Sequence, residues 1–233
     1  MKEFLEQYKL DAVLVHTPAN MRNISGFTGE GLVYVSKEDA WILTDSRYTI
    51  AAAAESRGFE VLEYKRNMQQ YIVEKIVKEH PELAEKTFRI GFEDAVMTVE
   101  TYRTLEALFE KMNLKQWELV PLHKKLDKMR RIKTPEEIES IKKAEKIGDE
   151  AFTKVTDWLT KCYREKTSVT EKQVAAHIEF YMRDAGAEGT SFDTIAASGI
   201  HSSMPHAVPT DKVLEEGDFL TMDFGCLVNG YCS

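Results

Sequence analysis

Two histidines on a proline-containing loop are the first residues of this sequence that could do chemistry. The stretch SFDTIAASGIHSSMPHAVPTDK (191–212) contains His201 and His206, with Pro205 and Pro209 beside them. Each proline ring fixes the backbone angle φ, so the loop should be stiff. A histidine on a stiff loop is well placed to act on a ligand. The alternative is a surface histidine without a role, because loops are generally exposed.

An acidic residue inside an apolar run is the second candidate. Asp223 lies in FLTMDFG (219–225), a run that should form a buried strand. A lone buried carboxylate is costly unless it is paired or binds a metal ion, so a metal ligand is one interpretation of Asp223. The other interpretation is a carboxylate bonded to the backbone or to an arginine. Asp218 differs, because it follows Gly217 at a strand start, where aspartate is commonly a turn residue.

Signatures of several other chemistries are absent from the sequence. It has no HExxH metalloprotease motif, no GxxxxGK[ST] phosphate loop and no GxSxG nucleophile elbow. The glycine-containing GFTGEG (26–31) lacks the strand–turn–helix context of a phosphate loop and is interpreted as a turn. The histidine loop and the strand that carries Asp223 remain the candidates for chemistry.

The first half of the chain alternates short apolar strands with helical stretches. Such alternation predicts an α/β layer domain. The second and third strands are close enough in sequence to pair as a hairpin. Strands are predicted at 11–16, 31–36, 40–45, 59–64, 88–93 and 117–121, and helices at 46–58, 68–80 and 98–112.

The pattern changes near residue 122, where we place a boundary between a domain at 1–121 and a domain at 122–233. A long helical region is predicted over 126–159, and Thr134, Pro135 and Glu137 give it a capping box with proline at the first helical position. This second half is predicted to be α+β. Its other elements are a helix at 170–186 and strand-like runs near 193–198 and 219–225.

The composition is that of an ordinary globular chain. Of its 233 residues, 43% are hydrophobic and 30% are charged, and the net charge is −8. This balance excludes the basic face of a nucleic-acid-binding protein and a polybasic membrane anchor. No apolar run approaches the roughly 18–20 residues of a membrane helix, and MKEFLEQYKL lacks the apolar region of a signal peptide. Three cysteines without CxxC spacing, at 162, 226 and 232, then predict reduced thiols in a cytoplasmic protein.

Three segments, in this order and spacing, resemble one known family. The stretch ASGIHSSMPHAVPTDKVLEEGDFLTMDFGCLVNGYCS (197–233) resembles the Xaa-Pro dipeptidase and aminopeptidase P branch of the pita-bread metallopeptidases, which also include creatinase. DAVLVHTPANMRNISGFTGEGLVYV with AWILTDSRYTIAAAAE resembles their N-terminal domain, and KMRRIKTPEEIESIKKAEKI their linker and first catalytic helix. The resemblance implies a creatinase-like α/β domain, with a mixed sheet and flanking helices, followed by an incomplete α+β pita-bread domain.

The resemblance also implies a site with two divalent metal ions, most often Mn²⁺ and sometimes Co²⁺ or Zn²⁺. Two aspartates, one histidine and two glutamates would bind them, and Asp223 matches the first aspartate. The second aspartate would directly follow Ser233, so we expect the chain to be the front part of a longer enzyme, truncated within a β-hairpin. With one ligand present, the 233 residues alone are expected to bind metal poorly and to be inactive. His206 matches the histidine that contacts substrate and helps stabilise the oxyanion, whereas His201 occupies a variable position.

The activity implied is metal-dependent hydrolysis of the peptide bond before proline, in Xaa-Pro dipeptides or in peptides that begin with Xaa-Pro. A peptide bond before proline has no N–H, so a groove that hydrogen-bonds this group would lose a partner. A metal-bridged water would be the nucleophile, and the protein is expected to be a homodimer. The alternatives are a creatinase-like hydrolase and a non-catalytic homologue that keeps the scaffold. A sequence that continues past Ser233 with an aspartate, then a histidine and two glutamates, would favour the enzyme.

Overall fold

The computed structural model describes residues 1–56 and 58–233. These residues form two compact units, Met1–Ile132 and Lys133–Ser233. The helices are α1 (Lys2–Tyr8), α2 (Pro18–Ser25), α3 (Thr49–Glu55), α4 (Met68–Glu79), α5 (Val99–Lys111), α6 (Lys125–Met129), α7 (Pro135–Glu165) and α8 (Glu171–Asp184), with 3₁₀ turns at Pro81–Glu85 and Gly199–Ser203. The strands are β1 (Ala12–Val15), β2 (Leu32–Ser36), β3 (Ala40–Thr44), β4 (Glu60–Glu63), β5 (Phe88–Phe92), β6 (Trp117–Pro121), β7 (Gly189–Thr190), β8 (Ile195–Ser198), β9 (Leu220–Asp223), β10 (Cys226–Val228) and β11 (Tyr231–Cys232).

The first unit contains a six-stranded mixed sheet in the order β4-β3-β2-β1-β5-β6. The three central strands β1, β2 and β3 are antiparallel neighbours, and β4, β5 and β6 add in parallel at the two sides. The α/β class, the mixed sheet and the hairpin between β2 and β3 are therefore confirmed. The helix predicted at 46–58 begins later, at Thr49, because Asp45 accepts hydrogen bonds from the N–H groups of Arg47 and Tyr48 in a turn. Its predicted end includes Arg57, which lies outside the described residues.

Helices cover both faces of this sheet. All four residues of β1 are buried, and successive side chains alternate between two hydrophobic clusters. Ala12 and Leu14 pack with α4 and α5, whereas Val13 and Val15 pack with α1, α2 and α3. A strand that is buried on both faces has a continuous apolar sequence, so β1 and β2 could be predicted from the sequence.

The first unit extends to Ile132 instead of ending near residue 121. Leu122 and Leu126 are buried in one of its two clusters. The buried Asn20 donates to Asp127 Oδ1 at 2.9 Å and accepts from Arg130 Nε at 2.6 Å. Through these contacts the segment after β6 packs on the first unit. The local sequence near residue 126 predicts a helix but does not predict these contacts.

Two helices and short strands form the second unit. The capping box predicted for α7 is present, with Thr134 Oγ1 accepting from the N–H of Glu137 and Glu137 Oε2 accepting from the N–H of Thr134. Thr170 caps α8 in the same way through Gln173. The two helices pack together around Ala144, Ile147, Ala151, Val155 and Ile178, and Ala196 of β8 and Cys226 of β10 complete this core.

The strands of the second unit form two small sheets. The two strand-like runs form strands β8 and β9, which pair in antiparallel direction with Ile195 opposite Asp223. Strand β10 pairs with β7 and β11 in the other sheet. Within the described part of the chain, no helix is both long and apolar enough to cross a lipid bilayer.

Candidate functional site

His206 occupies a tight turn on the surface of the second unit. The N–H of Ala207 donates to the carbonyl of Met204 at 3.2 Å, which closes a turn with Pro205 and His206 as its central residues. Proline at the first central position pre-sets φ for such a turn. Ala207 is buried and anchors the turn, and His206 is exposed. The expectation of a histidine held on a rigid, accessible loop therefore agrees with the local geometry.

Asp223 is not buried, contrary to the sequence-based expectation. Burial alternates along β9, so that Leu220 and Met222 are half-buried while Thr221 and Asp223 are exposed. The apolar run FLTMDFG was interpreted as a strand buried on both faces, but only one face packs on the core, and Phe219 is 85% exposed. The Asp223 carboxylate makes no hydrogen bond or ion pair with any described residue, which leaves it free for a ligand.

One cavity of about 750 Å³ is lined by both His206 and Asp223. The pairing of β8 with β9 places Asp223 opposite Ile195, and directly opposed residues on antiparallel strands share a face. The loop that follows β8 brings His206 to the same place. The structure thus brings together the two residues that the sequence singled out. The remaining lining residues are Phe192, Asp193, Thr194, Ile195, Ala207, Val208 and Pro209.

The walls of this cavity are of two kinds. Phe192, Ile195, Val208 and Pro209 provide an apolar wall, whereas His206 and two aspartates provide polar groups. Cavities that bind small molecules combine apolar walls with a few convergent polar groups in this way. The arrangement suits a ligand that has both an apolar part and a polar group.

Two lining residues were missed in the sequence analysis. Asp193 is an exposed carboxylate that lies just before β8 and faces the same cavity as Asp223. Thr194 is buried, and its hydroxyl has no hydrogen-bond partner among the described residues. A buried hydroxyl without a partner is costly. Both residues directly precede Ile195, which pairs with Asp223, and sequence periodicity does not reveal this pairing.

The described residues do not form a complete metal site. The free carboxylate of Asp223 is a hard oxygen ligand of the kind that manganese prefers. No group of three or more His, Cys, Asp and Glu side chains among residues 1–56 and 58–233 is arranged to hold a metal ion. Asp223 can therefore serve as one ligand, and the described residues do not complete a coordination shell.

A buried carboxylate behind the histidine loop was also missed. Glu171, the first residue of α8, is 0% exposed. Its Oε1 accepts from the N–H and hydroxyl of Ser198 at 2.7 and 2.9 Å, and its Oε2 from the N–H and hydroxyl of Thr210 at 3.0 and 2.6 Å. His201 Nδ1 lies 3.1 Å from Oε1. The sequence offered only a weak signal, an acidic residue directly after the N-cap Thr170.

Hydrogen bonds keep Glu171 ionised although it is buried. Burial by itself would raise the pKa of this carboxyl, but the bonds from Thr210 and Ser198 outweigh burial and lower the pKa to about 2. His201 contacts this carboxylate and does not line the cavity.

Asp218 also has a specific partner beyond its place in a turn. Lys212 Nζ donates to Asp218 Oδ2 at 2.6 Å and to Ser198 Oγ at 3.1 Å. The hydrogen bond from Lys212 lowers the pKa of the Asp218 carboxyl, and the same bond raises the pKa of Lys212. Through its bond to Ser198, Lys212 joins the segment before β9 to the end of β8.

Comparison with known proteins agrees with this architecture. Residues 1–132, more than half of the chain, match the family model of the creatinase/prolidase N-terminal domain. The chain belongs to the creatinase/prolidase family. Residues 139–233, which include the cavity, match the model of metallopeptidase family M24.

Related proteins carry peptidase names. The peptidase YqhT of Bacillus subtilis is 37% identical over 100% of this chain and 62% of its own length. The structure of an Xaa-Pro dipeptidase from Bacillus anthracis superimposes with a TM-score of 0.84 at 32% identity, over 100% of this chain and 61% of that one. An X-Pro aminopeptidase structure from Thermotoga maritima gives a TM-score of 0.82 at 32% identity, over 98% and 62%. The creatinase/prolidase chain described here thus spans about three fifths of the length of these relatives.

Proposed function

We propose that this chain is part of a metal-dependent peptidase that hydrolyses the peptide bond before proline, in Xaa-Pro dipeptides or in peptides with an N-terminal Xaa-Pro. One observation carries the proposal: His206 and Asp223 line the same cavity, within the part of the chain that matches family M24. Support comes from the two solved relatives, which are named for activity on X-Pro substrates.

Four of the lining residues have a part in this proposal. Asp223 would bind one of two divalent metal ions, with Mn²⁺ as the first choice. When bound, such ions supply positive charge and an activated water for hydrolysis. His206 would donate a hydrogen bond to the carbonyl oxygen of the scissile bond, where negative charge develops. Phe192 and Val208 would contact the proline ring, because both expose apolar surface to the cavity.

The assay compares Ala-Pro with Ala-Ala in Mn²⁺, with and without a chelator. It uses the 233-residue chain and, where the gene encodes one, a protein that continues past Ser233. We propose that the 233 residues alone turn over poorly, because the described residues offer Asp223 as one of five expected ligands. Chelator-sensitive turnover that prefers Ala-Pro supports the proposal. Equal turnover of Ala-Ala, or turnover that survives the chelator, contradicts it.

Two substitutions separate the proposed roles in an active protein. His206→Gln should lower kcat by about 10²–10³, the usual effect of removing one oxyanion donor. Asp223→Asn should abolish turnover and weaken Mn²⁺ binding. Asp211→Asn is the control, since Asp211 is an exposed carboxylate outside the cavity that pairs with Lys172. An unchanged kcat in His206→Gln would remove the histidine from the proposal.

We also propose that the intact protein is a homodimer in the cytoplasm. The three cysteines are free, two of them buried and Cys232 exposed, which fits a reducing compartment. Light scattering measures the mass of the purified intact protein, and twice its single-chain mass is expected. A single-chain mass at all concentrations would contradict the dimer.

A further inference from the structure

The loop that carries His206 has both of its ends bound to one side chain. Glu171 uses one carboxylate oxygen for Ser198, where β8 ends, and the other for Thr210, where the loop returns to the core. Each end contributes a backbone N–H and a hydroxyl. A single rigid group, itself held at the start of α8, therefore fixes the distance between the two ends of the loop.

Hydrogen bonds continue from this carboxylate to the turn of His206. His201 Nδ1 lies 3.1 Å from Glu171 Oε1. The carbonyl of His201 accepts from the N–H of Met204 at 3.0 Å, and the carbonyl of Met204 accepts from the N–H of Ala207 at 3.2 Å. His206 lies inside this last turn. These hydrogen bonds thus lead from the Glu171 carboxylate, through His201 and Met204, to the turn that contains His206.

The start of the loop is also restrained sterically. Gly199 adopts φ of +54°, and a Cβ atom there would lie 2.6 Å from Asp218 Oδ1. Glycine is the residue that accepts such a conformation without strain. Asp218 is in turn held by Lys212, which also reaches Ser198. The residues next to Ser198 and Thr210, which bond Glu171, are therefore themselves restrained by Asp218 and Lys212.

We propose that Glu171 is the positioning residue of His206: its buried carboxylate closes the base of the loop and thereby holds the histidine at the rim of the cavity. This rests on the substrate contact proposed above for His206. Glu171 does not line the cavity. Its effect on substrate is exerted through the loop.

Glu171→Gln tests the proposal with the smallest change in shape. A carboxylate has two accepting oxygens, whereas an amide has one and places an N–H₂ donor at the other position. The variant can therefore keep the bonds at Ser198 or at Thr210, but not both. Glu179→Gln is the matched control, because Glu179 lies on the same helix and makes no hydrogen bond or ion pair with any described residue.

Two measurements on the 233-residue chain report on the loop. Amide hydrogen exchange at Met204 and Ala207 probes bonds inside the loop that do not involve Glu171. The ¹H–¹³C signal of the His206 imidazole, assigned with His206→Gln, reports whether the ring has one environment or several. Glu171→Gln should raise exchange at both amides roughly tenfold or more, since local opening removes their protection. It should also shift or broaden the His206 signal, while Glu179→Gln changes neither.

The outcomes are distinct. If exchange rises only at Ser198 and Thr210, whose N–H groups bond Glu171 directly, and the His206 signal is unchanged, then Glu171 is a local structural residue and the proposal fails. Thr210→Val keeps the carboxylate bonded to Ser198 and should give the same changes to a smaller degree, so it replaces Glu171→Gln if that variant does not fold. Neither measurement needs turnover, so failure of the peptidase assay and failure of this proposal are separate results.

Discussion

At the scale of single residues, Glu171 shows how hydrogen bonds from backbone N–H groups and hydroxyls can keep a buried carboxylate ionised. Four hydrogen bonds from Ser198 and Thr210 replace the water that burial removes. They outweigh the effect of burial and bring the pKa from an ordinary value of 4.5 to about 2. Sequence patterns cannot reveal such a residue, because its donors lie far along the chain and are brought together only by the fold.

A pH dependence of stability follows from this pKa. Because the folded-state pKa lies below the unfolded one, ionised Glu171 stabilises the folded state fully above pH 4.5, and the stabilisation is lost as the pH falls towards 2. It amounts to about 3 kcal/mol at most, since one pKa unit corresponds to about 1.4 kcal/mol. The difference in the free energy of unfolding between wild type and Glu171→Gln, measured in urea from pH 7 to pH 3, should therefore be constant down to about pH 5 and become smaller as the pH falls to 3. A difference that is constant over this range would show that Glu171 is not ionised in the way described.

At the scale of elements, the candidate site depends on pairing that local sequence does not encode. The strands β8 and β9 were expected from their apolar runs, and both are present. Their register places Ile195 opposite Asp223, and both residues line the cavity. Asp223 is exposed because only one face of β9 packs on the core. Which faces of a strand are covered depends on tertiary packing, so the burial of Asp223 was predicted incorrectly even though its strand was found.

The capping box of α7 was visible in the sequence because its residues are neighbours along the chain. Thr134→Ala removes the hydroxyl that accepts from the N–H of Glu137. It should lower the free energy of unfolding by about 0.5–2 kcal/mol, the usual cost of losing an N-cap. Thr153→Ala is the control, because Thr153 is an exposed mid-helix residue whose hydroxyl bonds only the carbonyl of Asp149, and alanine has the higher helix propensity. Equal destabilisation by both substitutions, measured by urea unfolding, would mean that the cap contributes nothing specific.

At the scale of the whole molecule, the position of the first unit's end is the main difference between sequence and structure. The sheet closes with β6 at Pro121, so strand and helix patterns placed the boundary there. The compact unit nevertheless includes the next eleven residues, up to Ile132. Leu122 is 1% exposed and Leu126 is 2% exposed. Two leucines in a short helical segment do not identify the core that they enter, because either unit could have buried them.

This boundary can be tested with two truncated proteins. Residues 1–132 should unfold cooperatively on their own, because both faces of the sheet are covered from within the unit. Residues 1–121 should be less stable by several kcal/mol, since loss of one buried leucine side chain alone typically costs about 2–5 kcal/mol. Asn20 would also lose Asp127 and Arg130, and it would keep only Glu93 as a side-chain partner.

The stability of both proteins is measured by urea unfolding followed by circular dichroism. The double variant Leu122→Ala with Leu126→Ala in residues 1–132 separates the loss of packing from the loss of chain. If 1–121 and 1–132 were equally stable, the segment would be a linker and the earlier boundary would be the correct one.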